Sequence, residues 1–231
     1  MEDPWAQPIG DKKEGVEQAP VNHQEMSEDL TFFEKIINVI AHPKDFFEWL
    51  HDNHSTKDAV KYLLLLGYMV SGVFFIIGLI GAFFLGMFIK SILPVAIGSY
   101  GTYILIGIVF GFAALYPIFL LVANFIGGGF MHIFVLLFKG REYSKTFSVL
   151  AYAATPSMLS LVLFPIPILG QILAGVVSIW ALVLSFYGLM KVYDFPFWKV
   201  LAIYIIIILL PAVISFILSI MFLGGIMSLL L

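Results

Sequence analysis

Four stretches of this chain contain no Asp, Glu, Lys or Arg, and nearly all the charge beyond residue 61 sits in the short gaps between them. They lie between Lys61 and Lys90, between Lys90 and Lys139, between Lys145 and Lys191, and after Lys199. A helix in water must show solvent a polar face, so runs of this length do not suit a soluble fold. Hydrocarbon asks for them: a transmembrane helix needs about 20 apolar residues. The first run makes one long helix. The second has room for two, but Pro94, Gly98, Gly101, Pro117 and Gly127, Gly128 and Gly129 interrupt it. The third divides at Phe164-Pro165-Ile166-Pro167-Ile168-Leu169-Gly170, because Pro and Gly punctuate helices. The fourth makes one helix containing Pro211.

The positive-inside rule decides how often the second run crosses. One crossing gives five spans and puts eleven of the twelve bases on one side, with only Lys90 opposite. Two crossings move Lys139, Arg141 and Lys145 outside, a worse partition. The expectation is therefore five spans near 61–89, 103–138, 146–164, 168–190 and 199–223. The N-terminus is cytoplasmic and the C-terminus outside. Residues 92–100 then read as an outer loop or shallow interfacial piece, with Tyr100 and Tyr103 at headgroup level.

Ahead of the spans the pattern changes to helical periodicity. Thr31-Phe32-Phe33-Glu34 has capping-box spacing, and Phe32, Phe33, Ile36, Ile37 and Ile40 follow on one face. Pro43 suits the first position of a second helix carrying Phe46, Phe47, Trp49 and Leu50. Two short amphipathic helices over 31–58 are predicted to lie in the bilayer interface, or alternatively to dock a soluble partner. Residues 1–30 hold eight of the fifteen acids with Pro4, Pro8 and Pro20, a disorder-type composition. No basic n-region opens the chain, so the first span is expected to act as its own signal-anchor. The spans and their connections make up 59–231.

Composition agrees with this division. The chain is 61% hydrophobic and 12% charged over 231 residues, against about 25% charged in average proteins. The absence of cysteine excludes disulfides and thiolate chemistry.

Within lipid, helices associate through close packing at small residues and occasional hydrogen bonds. Gln171, Ala174, Ser178, Ala181, Ser185 and Gly188 form one small-or-polar stripe along the fourth span. Thr146, Ala153, Ser157 and Ser160 lie in compatible register on the third, so the two are expected to pair as a close antiparallel hairpin. Gly67, Ser71, Gly78 and Gly81 or Ala82 mark a seam on the first span, and Gly107 and Gly111 one on the second.

Chemistry is scarce in these runs. His132 is their only Asp, Glu, Lys, Arg or His residue, and an intramembrane ionisable group is a functional candidate by default. It lies seven residues from Lys139, about 10 Å along a helix, near the hydrocarbon boundary. With Asn124, Gly127, Gly128, Gly129 and Gln171 it defines a candidate intramembrane polar or hinge site, where unwound backbone is able to coordinate solute. The alternative is that these groups are occluded in helix packing. Trp180, far from either interface, is expected to pack in the bundle with its indole N–H bonded to a neighbour. Proteolysis, proton pumping and voltage sensing lack their residues, since no Asp lies in any span. The histidines do not cluster as zinc ligands; His51 and His54 are a weak pair. No catalytic residue, metal or cofactor is expected.

The ordered landmarks form a recognisable series. Pro43-Lys44-Asp45-Phe46-Phe47 precedes the spans, and Gly128-Gly129 comes late in the second. Tyr152-Ala153-Ala154-Thr155-Pro156 lies in the third, followed by Pro167-x-x-Gly170, Trp180 and Gly188. This resembles, over residues 30 to 225, the Yip family of five-span membrane proteins named for interacting with Ypt/Rab GTPases, and specifically its prokaryotic branch. The eukaryotic branch carries an Asp-Leu-Tyr-Gly-Pro-type segment before the first span, which this chain lacks; Asp194-Phe195-Pro196-Phe197-Trp198 is similar only superficially and comes after the fourth. The resemblance thus implies an all-α, five-span, non-enzymatic membrane protein of a prokaryotic cell membrane, organising the membrane or binding a partner. The partners expected are the lipid bilayer, a protein at the cytoplasmic N-terminal segment and a second copy in a homo-oligomer, with no nucleic acid. A small transporter or channel for a neutral or lipidic solute is the second expectation.

Overall fold

The computed structural model describes residues 30–92, 95–163, 166 and 168–230. The acidic tail read for 1–30 lies outside these residues apart from Leu30, as do Phe164, Pro165 and Pro167 of the expected turn. The described chain is α-helical: α1 (Phe32–Ala41), α2 (Pro43–Asp52), α3 (Thr56–Ile92), α4 (Val95–Leu137), α5 (Tyr143–Ala153), α6 (Thr155–Ser160), a 3₁₀ turn (Leu161–Leu163), α7 (Leu169–Val192) and α8 (Phe197–Leu230). Five helical stretches are long and apolar enough to cross a membrane: Thr56–Ile92, Tyr100–Leu137, Tyr143–Leu163, Leu169–Val192 and Phe197–Met221.

α3 and α4 form a long antiparallel hairpin, about 55 and 64 Å in length. Small residues of α3 set its spacing. A Cβ on Gly67 would stand 3.0 Å from the Cα of Pro117, and one on Gly78 would stand 2.7 Å from Val109. Gly86, not singled out in the sequence, seats Thr102 in the same way at 2.6 Å. Ala82 is buried on this seam, whereas Gly81, Gly107 and Gly111 face open space.

Two expectations for α4 are corrected. Residues 95–100 are not a loop; they are the first turns of a 43-residue helix, whose membrane-crossing stretch begins at Tyr100. Nor does the backbone break at Pro117 or unwind at Gly127–Gly129. The physical reason is common to both. Lipid offers no partner for a freed N–H or C=O, so keeping the helix costs less than opening it.

The third span departs from a single helix over 146–164. It divides into α5, α6 and the 3₁₀ turn, with the break at Ala154. Pro156 has no N–H to extend α5, and it is tolerated in the first turn of α6. α5 is the central helix, with Thr146, Phe147, Ser148, Val149, Ala151, Tyr152 and Ala153 all buried. It touches α2, α3, α4 and α7.

α1 and α2 dock on the end of the bundle. The capping box forms: Glu34 N–H donates to the Thr31 hydroxyl, and Thr31 N–H to the Glu34 carboxylate at 2.7 Å. Pro43 opens α2. Phe46, Phe47 and Leu50 of α2, and Val39 of α1, are then completely buried against the end of the bundle formed by α3, α5 and α7. This docked end also holds the α4–α5 and α7–α8 loops, joined where Gly140 packs beneath Tyr193 and Phe195.

Candidate functional site

The docked end is built around α5. Phe46 lies edge-on to Tyr152, with ring centroids 5.1 Å apart, and Tyr152 in turn packs on Tyr62 at 4.6 Å. Tyr62 and Thr155 share a buried 2.6 Å hydrogen bond, and the Thr155 hydroxyl also donates to the Tyr152 carbonyl. Phe47 sits against Gly188 and Val149, where a glycine alone leaves room for the ring. The motif residues Phe46, Phe47, Tyr152, Thr155, Pro156 and Gly188 thus meet in one place, although the first and last are 142 positions apart in sequence. Gly170 is buried far away, in the first turn of α7, and Trp180 stands apart. The ion pair Lys191–Glu48 (2.7 Å) and the contact of the His51 ring with the Lys191 carbonyl (3.3 Å) pin the outer edge of α2 to α7.

A polar chain runs beside this seat. Tyr193 donates its hydroxyl to the Glu142 carbonyl. Its oxygen must therefore accept from Thr146, 2.7 Å away, whose oxygen in turn accepts from His132 Nδ1 at 2.8 Å. Each hydroxyl gives one proton and takes one, so the direction of the chain is determined throughout. Burial pushes the Tyr193 phenol above its ordinary value. The Glu142 carboxylate meets His54 Nε2 at 2.8 Å and Lys145 at 3.9 Å, while His54 Nδ1 faces the His51 carbonyl. His132 is accordingly held by Thr146, with the Tyr143 ring edge-on to it at 5.5 Å.

The six residues of the candidate intramembrane site do not converge. Asn124, Gly127 and Gly128 line a lateral cavity of about 580 Å³ between α4, α5, α6, α7 and α8. Its wall is otherwise apolar, apart from Ser185 and two tyrosines, Tyr116 and Tyr204. His132 belongs to the polar chain, and Gly129 is half-buried outside the cavity wall. Gln171 is exposed at the opposite end of α7, about 25 Å from Gly188 along the helix.

The third span meets α7 along both of its parts, through α5, α6 and the 3₁₀ turn. Ala153, Ser160, Ser185 and Gly188 are buried, Ser157, Ala174 and Ala181 are half-buried, and Ser178 is exposed. The Ser178 hydroxyl donates to the Ala174 carbonyl of its own helix at 2.7 Å. Trp180 is 39% exposed on the outward side rather than packed within the bundle. Sequence reasoning passed over Tyr62, Glu142 and Tyr193 as site residues, because each flanks an apolar run and acquires a role only from a distant partner.

Helical bundle, lipid-facing helices and docked N-terminal hairpin define an integral membrane protein. The Yip1 domain family model matches residues 37–221, and the chain belongs to that family. No curated protein and no solved structure matches the chain.

Proposed function

We propose that this chain is a non-enzymatic membrane-organising protein that binds a protein partner through its N-terminal hairpin on the cytoplasmic side. One observation carries the reading. α2 is consumed by the bundle, while α1, held in place by it, turns Phe33, Ile37 and Ile40 outward, with Phe33 65% and Ile37 58% exposed. A rigid helix with an apolar stripe fits helix-in-groove recognition, in which anchors recur at i, i+4 and i+7. Phe33, Ile37 and Ile40 have that spacing.

A photoreactive residue at Ile37, activated in native membranes, tests this. A discrete protein adduct supports the proposal. Adducts with lipid alone sink it and return α1 to the bilayer interface. The orientation has its own test: protease reaching the C-terminus from the cytoplasmic side refutes the assignment.

The cavity beside Asn124 favours a second reading, transport of a neutral or lipidic solute. Flux in liposomes, with no partner captured at Ile37, would put that reading first.

A further inference from the structure

We propose that the lateral cavity is a binding site for one acyl chain of an anionic phospholipid, whose phosphate rests against Lys139, Arg141 and Lys199 at the docked end.

The wall of the cavity specifies hydrocarbon. Each of its polar side chains already makes a hydrogen bond: Asn124 Nδ2 donates to the Leu120 carbonyl (2.9 Å), Ser185 and Tyr204 share one (2.6 Å), and the Tyr116 hydroxyl meets Met158 Sδ (3.4 Å). A hydrogen-bonding solute would find few free partners, whereas an alkyl chain needs none. The volume of about 580 Å³ falls within the roughly 300–1,000 Å³ of small-molecule sites. Along α4 the wall runs from Tyr116 to Met131, about 22 Å. One leaflet of a bilayer contributes about 15 Å of hydrocarbon, so a single extended chain fits this length.

The docked end specifies the charge. Gly140 lies beneath Tyr193 and Phe195, with a virtual Cβ 3.0 and 3.1 Å from them, which binds the 138–141 loop to the 193–196 loop. Lys199 lies over the Phe195 ring, its Nζ 5.4 Å from the centroid. Lys139, on a left-handed backbone (φ 71°), and Arg141 flank Gly140 in the same loop. The acids nearby are already taken. Glu142 faces His54 and Lys145, and Asp194 faces His51 at 3.8 Å. Lys139, Arg141 and Lys199 have no carboxylate partner among the described residues. Lys139 and Arg141 follow the end of α4, eight and ten residues past Met131 of the cavity wall, and Lys199 lies on α8 five residues before Tyr204 of the same wall. Apolar slot and unpaired bases together match an anionic amphiphile. The site is independent of any partner at α1.

The test is native mass spectrometry of the full chain released from bilayers of equal phosphatidylglycerol and phosphatidylcholine. Phosphatidylglycerol should be retained preferentially. The triple change K139Q/R141Q/K199Q should lower that preference at least about tenfold, since each base near an anionic surface contributes appreciably. The charge-conserving K139R/R141K/K199R should keep it. Gly127→Trp, at a position with open space around its Cβ, should fill the slot and reduce retention of both lipids. Equal retention of the two lipids, or a preference untouched by the triple change, overturns the proposal. So does efficient crosslinking between copies through Ala123→Cys, which would make a second chain the occupant.

Discussion

Phe47 rests on Gly188: a Cβ built on that glycine would stand 2.7 Å from the Phe47 ring and 2.7 Å from Val149. This contact locks the N-terminal hairpin onto α7 and accounts for the glycine without any appeal to backbone freedom. Gly188→Ala should therefore overpack the seat, at a cost of about 1–3 kcal/mol. Thermal unfolding in detergent should show the loss, with faster proteolysis between α2 and α3. Phe47→Leu added to Gly188→Ala should recover part of it, because the ring edge that clashes is gone.

Tyr62 and Tyr152 touch, yet they should respond differently to loss of the hydroxyl. Tyr62→Phe leaves Thr155 without its 2.6 Å partner and should cost about 0.5–1.5 kcal/mol. Tyr152 contributes its ring to Phe46 and Tyr62, so Tyr152→Phe should stay within about 0.5 kcal/mol of the parent. Tyr152→Ala should cost several times more, as large aromatic truncations do. Equal losses for the two Phe variants would contradict this division of roles.

Thr146 is the middle link between His132 and Tyr193. Thr146→Val keeps the shape and removes both links, leaving the half-buried His132 Nδ1 and Tyr193 oxygen without this partner, at about 0.5–1.5 kcal/mol. Thr146→Ser should retain most of the stability. Unfolding midpoints of the two variants check this, and a Val variant as stable as the Ser variant would show that the chain carries no weight.

Glu34 gives a pH prediction with a definite sign. The backbone N–H of Thr31, and then its hydroxyl, hold the carboxylate below its ordinary 4.5. A group whose pKa is lowered in the folded state stabilises above its unfolded value and ceases to as pH falls through the folded one. The start of α1 should thus be intact at neutral pH and fray only below pH 4.5. Protection factors of the Thr31 and Glu34 amides, corrected for the intrinsic pH dependence of exchange, should fall there in the parent and be low at all pH values in Glu34→Ala.

The span-forming runs were legible because hydrocarbon imposes a compositional rule that any window of about 20 residues must obey. Caps were legible too, since Thr31 and Glu34 interact over three residues and need no distant partner. Pro117 and Gly127–Gly129 misled for a related reason. Proline's missing N–H and the freedom of glycine loosen a helix in any solvent, but around Pro117 and Gly127–Gly129 the remaining backbone bonds keep it closed because lipid offers no other partner. Along the α7 stripe Ser185 and Gly188 are buried, Ala174 is half-buried and Ser178 is exposed, a gradation that spacing alone does not carry.

By itself, then, the sequence determined that this is a helical membrane protein, where its apolar helices fall and which family it belongs to. Those properties are local: they follow from composition and from contacts a few residues apart. Only the tertiary structure decided that α2 is part of the bundle core and α1 its exposed face. It alone separated His132 from Asn124 and Gln171, and brought Phe47 to Gly188. Such pairings depend on the axial register of whole helices, and in an apolar run many registers satisfy the same hydropathy. Shape complementarity between particular side chains selects among them, and that is a property of two surfaces together.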